Sequence, residues 1–123
     1  VLASGMLLGL EEVPESLLVI GAGAIGIEFS DFFAALGVTV TIVEGMPQLV
    51  PTEDADIAED LRKTLQKEGR TCITGRKVAS VATVEGHAEL RFAEVVLDDS
   101  KADRSRRGNA SEYDRAVQSM SKL

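Results

Sequence analysis

Tryptophan is absent from these 123 residues, and there are only one tyrosine and four phenylalanines. The core must therefore be aliphatic. Cysteine occurs once, at Cys72, which excludes an internal disulfide and a cysteine-based metal cluster. No metal site is expected. Cys72 lies in the strand-like "GRTCITG", and a buried, inert thiol is expected there. A lone thiol suits a reducing compartment, so the expected setting is cytoplasmic, or the mitochondrial matrix in a eukaryote. Histidine also occurs once. His87 falls in the turn pattern "EGH" and is read as a surface residue. No run approaches the roughly 20 apolar residues of a membrane span. The apolar start "VLASGMLLGL" lacks the basic residues of a signal peptide. Its first residue is not Met, and residues 1–15 are expected to be a linker from a preceding domain. Positive charge is scarce. The formal net charge of −7 disfavours nucleic acid as a partner, because phosphate binding needs clustered Lys and Arg.

What remains is enough for one domain with one core. The chain is 45% hydrophobic and 27% charged, a globular composition. The charge is uneven: residues 1–97 carry 15 acidic and 7 basic side chains, whereas residues 98–123 carry 5 and 6. That last piece is polar and poor in aliphatics. It is expected to be a disordered tail or a weak helix near Ser111–Met120.

Between the ends, elements alternate. "SLLVIG" (Ser16–Gly21) reads as a buried parallel strand. Ile25, Phe29, Phe32, Phe33 and Leu36 recur at helical spacing and predict one buried stripe, ended by Gly37. "VTVTIVE" (Val38–Glu44) is a second strand, and residues 45–51 form a loop. Thr52 is expected to cap a second helix with Glu53, Asp54 and Asp56 at its positive end. Ile57, Leu61 and Leu65 would be its buried edge, and Glu59 and Lys63 an outer pair. Gly69 closes it, and Arg70–Gly75 is a third strand. The order βαβαβ predicts an α/β fold, a Rossmann-like parallel sheet. "KVASVATV", "AELRF" and "AEVVL" then predict a small antiparallel meander. The predicted domain is thus 16–97.

Gly21, Gly23 and Gly26 form G-x-G-x-x-G between the first strand and the first helix, the context this dinucleotide fingerprint requires. Gly21 permits the tight turn, Gly23 lets a pyrophosphate approach the backbone, and Gly26 lets helix and strand pack closely. The N–H groups of the first helical turn, at Ala24 and Ile25, then face the phosphates. Glu44 ends the second strand, where a carboxylate accepts hydrogen bonds from a ribose 2′-OH and repels a 2′-phosphate. Gly45 follows it, and residues 45–51 hold no basic side chain, which favours NAD over NADP. The motif itself suits the adenosine half of either NAD or FAD. Glu28 is the odd residue: it lies on or beside the apolar stripe, either as a partly exposed flank carboxylate or as one whose partner is a ligand or another domain.

"EEVPESLLVIGAGAIGIEF" and "LGVTVTIVEGMPQLVPTEDADIAEDLRKTLQKEG" resemble the NAD-binding domain of the pyridine nucleotide–disulfide oxidoreductases, and within them the dihydrolipoamide dehydrogenase branch. The resemblance covers residues 4–80. It implies that this glycine motif holds NAD, with Glu44 on the ribose, and that FAD sits on a separate domain of a larger flavoprotein. It implies that Glu28 supports catalysis near the nicotinamide–flavin junction, paired with a lysine of the FAD domain. It further implies an FAD domain, a dimerisation domain and a 2-oxo acid dehydrogenase complex as partners. The branch needs a C-x4-C dithiol and a His–Glu pair, and neither is found in these residues. No catalytic residue is therefore expected in this chain. After "AEVVL" the sequence "DDSKADRSRRGN" leaves the family's closing pattern.

Two other functions compete. One is a free-standing or truncated dinucleotide-binding module without catalysis. The other is an NADPH-dependent disulfide reductase, against which Glu44 and the uncharged loop speak.

Overall fold

The structure, a computed structural model, describes residues 1–93. A single helical turn, α1 (Ser4–Leu7), precedes β1 (Ser16–Ile20), α2 (Ala24–Ala35), β2 (Thr39–Val43), α3 (Ala55–Lys67) and β3 (Thr71–Ile73). A hairpin of β4 (Val78–Val84) and β5 (His87–Phe92) follows. Strands β1, β2 and β3 form a parallel sheet in that order, with Ser16 opposite Thr39 and Thr41 opposite Thr71. The predicted α/β architecture, a βαβαβ parallel sheet with a small antiparallel piece, is the observed one. β2 is central, and Val40, Thr41, Ile42 and Val43 are all buried. Leu17, Phe33, Val38, Leu49 and Leu65 close the aliphatic core around it.

α2 corrects the expected stripe. Phe33 is buried, but Ile25, Phe32 and Leu36 are 60%, 56% and 50% exposed. The sheet-facing side is instead Gly26, Ser30 and Phe33. Gly26 is there because the helix touches the backbone of Gly21, just after β1, and Ser30 can be fully buried because its hydroxyl donates to the Ile27 carbonyl at 2.8 Å. Close approach, not hydrophobicity, sets the face of this helix.

α3 begins later than Thr52. Residues 50–53 form a turn, closed by Glu53 N–H donating to Val50 O at 2.9 Å, and Asp54 is the N-cap. Ile57 is exposed, and Ala58 and Leu65 are the buried positions. Glu59 does reach Lys63, at 3.9 Å, but its nearer partner is Arg62, at 2.5 Å. Arg62 holds the Glu59 carboxyl below the usual carboxylate range through that hydrogen bond.

His87 is not in the turn. The turn is Glu85–Gly86, both at positive φ as a type I′ hairpin needs, and His87 opens β5 opposite Val84, half-buried. Ala93 follows β5, its N–H donating to Lys77 O at 2.8 Å. The rest of "AEVVL" and the expected tail lie outside the described residues. Among the described residues, no helix is long and apolar enough to cross a membrane.

Candidate functional site

The glycine motif sits at the carboxyl ends of β1 and β2. Gly21 leaves β1 with φ +99°, a left-handed conformation that L side chains rarely adopt, and its N–H donates to Val43 O at 2.8 Å. Ala22 is fully buried beneath the turn. Gly23 is the N-cap of α2, at φ −74°, and offers no side-chain cap. That φ suits any residue, and a Cβ there would meet no protein atom within 4 Å. Neither conformation nor packing explains glycine at this position, and the space above it is open.

Gly26 is different. A Cβ there would stand 2.1 Å from Gly21 O and 3.3 Å from Val19 Cγ1. Helix and strand approach closely at this point, which carries the first turn of α2 over the end of β1. The first N–H groups of a helix have no intrahelical acceptor. The first turn of α2 also contains no acidic side chain, whereas that of α3 contains Asp56. Ala24 and Ile25 are exposed there. The positive end of α2 is thus open to an external anion.

Glu44 lies across from this turn. Its Oε2 accepts from Ala22 N–H at 2.8 Å and its Oε1 from Met46 N–H at 2.9 Å. Its backbone is fixed as well: the N–H donates to Ile73 O at 2.8 Å, and the carbonyl accepts from Arg76 N–H at 3.2 Å. Gly45 is exposed beside it, 3.8 Å (measured from its notional Cβ) from Lys77 Cα. The fold therefore brings Gly21, Gly23, Ala24, Ile25, Gly26, Glu44 and Gly45 to one end of the sheet. An apolar cleft of about 680 Å³ starts at the turn and runs along β1 and α2, past Ile20, Ile25 and Phe29. These features fit a dinucleotide: an open backbone at Gly23, an uncapped helix terminus and a carboxylate poised at the neighbouring strand end.

Glu28 is exposed on α2, and no described side chain pairs with it. Residues Arg76 and Lys77 were not singled out from the sequence, yet their backbone walls the Glu44–Gly45 corner. The Arg76 guanidinium lies over the Phe92 ring, 4.7 Å from its centroid. Only the parallel pairing of β2 with β3 makes these residues neighbours of Glu44, so no local pattern announces them. Cys72 is half-buried on β3, and burial pushes its thiol up, against the pull of Arg62 and Arg70. Among the described residues, no group of three metal-ligating side chains occurs.

Residues 16–100 match the sequence profile of the pyridine nucleotide-disulphide oxidoreductases. The chain belongs to that family. Among curated relatives, the dihydrolipoyl dehydrogenase of Chlorobaculum tepidum is 43% identical over 91 residues, covering 74% of this chain and 19% of the relative. The dihydrolipoyl dehydrogenase of Rhizobium etli is 45% identical over 89 residues, covering 69% of this chain and 18% of the relative. Among solved structures, the HOCl-induced flavoprotein disulfide reductase RclA of Escherichia coli superposes with a TM-score of 0.66 at 34% identity, covering 72% of this chain and 20% of that one. The chain thus spans about a fifth of the length of these relatives.

Proposed function

We propose that the chain is the NAD(H)-binding domain of a dihydrolipoamide dehydrogenase, the enzyme that converts dihydrolipoamide and NAD+ to lipoamide and NADH through a disulfide and FAD. The observation that carries the reading is the Glu44 carboxylate, held 2.8 Å from Ala22 N–H above the glycine turn. An acid so placed accepts from ribose hydroxyls and repels a 2′-phosphate. Residues 45–51 supply no basic side chain to offset that repulsion. The curated relatives named dihydrolipoyl dehydrogenase support the choice of reaction.

In this reading residues 16–97 are the domain and residues 1–15 lead into it. Gly21, Gly23, Ala24, Ile25 and Gly26 take the pyrophosphate, and Glu44 and Gly45 take the adenosine ribose. When bound, the nicotinamide ring supplies a carbon that accepts or gives hydride. This chain's residues orient the dinucleotide and neutralise its phosphates with backbone N–H groups. Glu28, exposed on α2 near the turn, pairs with a lysine of the FAD domain at the nicotinamide–flavin junction. Further partners are the dimerisation domain and a 2-oxo acid dehydrogenase complex, in the cytoplasm or the mitochondrial matrix.

A second reading is a dinucleotide-binding module without catalysis; the single cysteine and single histidine of the 123 residues fit it as well as the first. Both readings predict that these residues bind NADH without turning over dihydrolipoamide. Isothermal titration of NADH, NADPH and FAD into the purified chain tests the cofactor assignment. NADH should bind at least about tenfold more tightly than NADPH, about 1.4 kcal/mol. Equal affinities, or preferred binding of FAD, would sink it.

A further inference from the structure

The glycine turn has little of its own to hold it in shape. Gly21 and Gly23 carry no side chains, and Gly23 offers the helix no side-chain cap. Ala22, between them, is fully buried, and both its backbone groups are tied to the β2–α3 connection. Its N–H donates to Glu44 Oε2 at 2.8 Å, and its carbonyl accepts from Val50 N–H at 2.8 Å. Val50 makes that bond from φ +39°, a conformation that a β-branched residue adopts only when its surroundings impose it. Gly21 is held by β2 through its N–H to Val43 O, and the constraint on the peptide after it comes from the neighbouring loop.

Glu44 is well suited to impose it. Its backbone is fixed on both sides by β3 and the residues after it, and its second carboxylate oxygen is steadied by Met46 N–H. Each carboxylate oxygen has more than one acceptor site, so a ribose hydroxyl can be bound without releasing Ala22.

We propose that Glu44 is a positioning residue for the phosphate-facing turn as well as the ribose ligand. One side chain then couples the two halves of the site: it reads the adenosine ribose and sets the peptide between the first two glycines. This rests on the reading of the site as an NAD(H) site. It predicts that losing Glu44 weakens even a dinucleotide that has no ribose hydroxyls for Glu44 to read.

The test is a binding cycle on the 123-residue chain. Its ligands are NADH and its analogue lacking both hydroxyls of the adenosine ribose. Its proteins are the parent, Glu44→Ala and Glu44→Gln. Glu44→Ala should weaken the analogue by about fivefold, the loss of one ordinary hydrogen bond, and NADH by more. Glu44→Gln keeps one acceptor and should fall between. Amide exchange at Ala22 should quicken in Glu44→Ala and recover partly in Glu44→Gln, with exchange at Ile42 unchanged. If Ile42 loses protection in Glu44→Ala, the Gln variant decides: weaker binding of the analogue upholds the proposal, and parental binding overturns it. Equal binding of the analogue by parent and Glu44→Ala, with NADH weakened, also overturns it and leaves the ribose assignment standing. A parent that binds NADH and the analogue equally defeats the ribose assignment alone, and the analogue measurements still report on the turn.

Discussion

Gly26 and Gly21 are in direct backbone opposition: any side-chain carbon on Gly26 falls 2.1 Å from the Gly21 carbonyl oxygen. Gly23, three residues earlier, faces open space. The two glycines should therefore fail in different ways. Gly26→Ala must push α2 off β1 and should cost about 1–3 kcal/mol, read from the urea midpoint. Gly23→Ala should leave stability within about 0.5 kcal/mol of the parent. It should nonetheless weaken NADH by about tenfold or more, because the proposed site puts the pyrophosphate in that space. A Gly23 variant that binds like the parent would show that the phosphates lie elsewhere.

Cofactor preference should be reversible at the Glu44–Gly45 corner. Gly45 has no left-handed constraint, and its nearest neighbours to a Cβ are 3.8 and 4.0 Å away. A Cβ fits there, and the guanidinium of an arginine recognises a phosphate through paired hydrogen bonds. Glu44→Ala with Gly45→Arg should raise NADPH affinity above that of NADH. Titration calorimetry that finds NADH still preferred would show that selection lies outside this corner.

Arg70 predicts an asymmetry. It is 7% exposed, bonded through Nη2 to Asp31 Oδ1 at 2.6 Å and through Nη1 to Glu68, while its Nε has no partner. Its two carboxylate partners are themselves largely exposed. Asp31→Ala leaves the buried guanidinium with Glu68 as its remaining carboxylate partner and should cost about 1–3 kcal/mol. Arg70→Met leaves only carboxylates that water can solvate and should cost less. Chemical denaturation of both variants checks the order, and the reverse order would contradict it.

Cys72 should be a slow thiol. Burial raises its pKa, so the reactive thiolate is scarce at neutral pH. Labelling with a disulfide reagent should be slow in the folded chain and fast in urea. A raised folded pKa contributes stability that is present below the unfolded value, near 8.5, and lost as pH climbs through the folded one. The chain should thus weaken at alkaline pH by less in Cys72→Ser than in the parent. Rapid labelling at pH 7 would refute the assignment.

The parts of the site that could be read from sequence were those dictated by local backbone needs. Gly21 needs left-handed φ, Gly26 needs contact distance, and Glu44 ends an alternating strand. The face of α2 was not legible, because this helix is apolar on two sides and the small residues Gly26 and Ser30 choose between them. The start of α3 is not legible either, because Thr52 has the chemistry of a cap while the Val50–Glu53 turn occupies its place. Arg76 and Lys77 were invisible because strand pairing, not sequence proximity, brings them to Glu44.

The sheet order has a consequence for how the chain acquires and loses its structure. The β4–β5 hairpin closes on Glu85 and Gly86, neighbours in the chain, and such hairpins form in about 1–10 μs. β2 has no such shortcut. Each of its parallel pairings, Ser16 with Thr39 and Thr41 with Thr71, spans an intervening helix, and loop closure must come before any reward. β2 therefore pairs only after a crossover has closed on each side of it, and it ends with a strand on both edges. The strand that leads into Glu44 is thus the one paired on both edges, and the Glu44–Gly45 corner is built directly on its end.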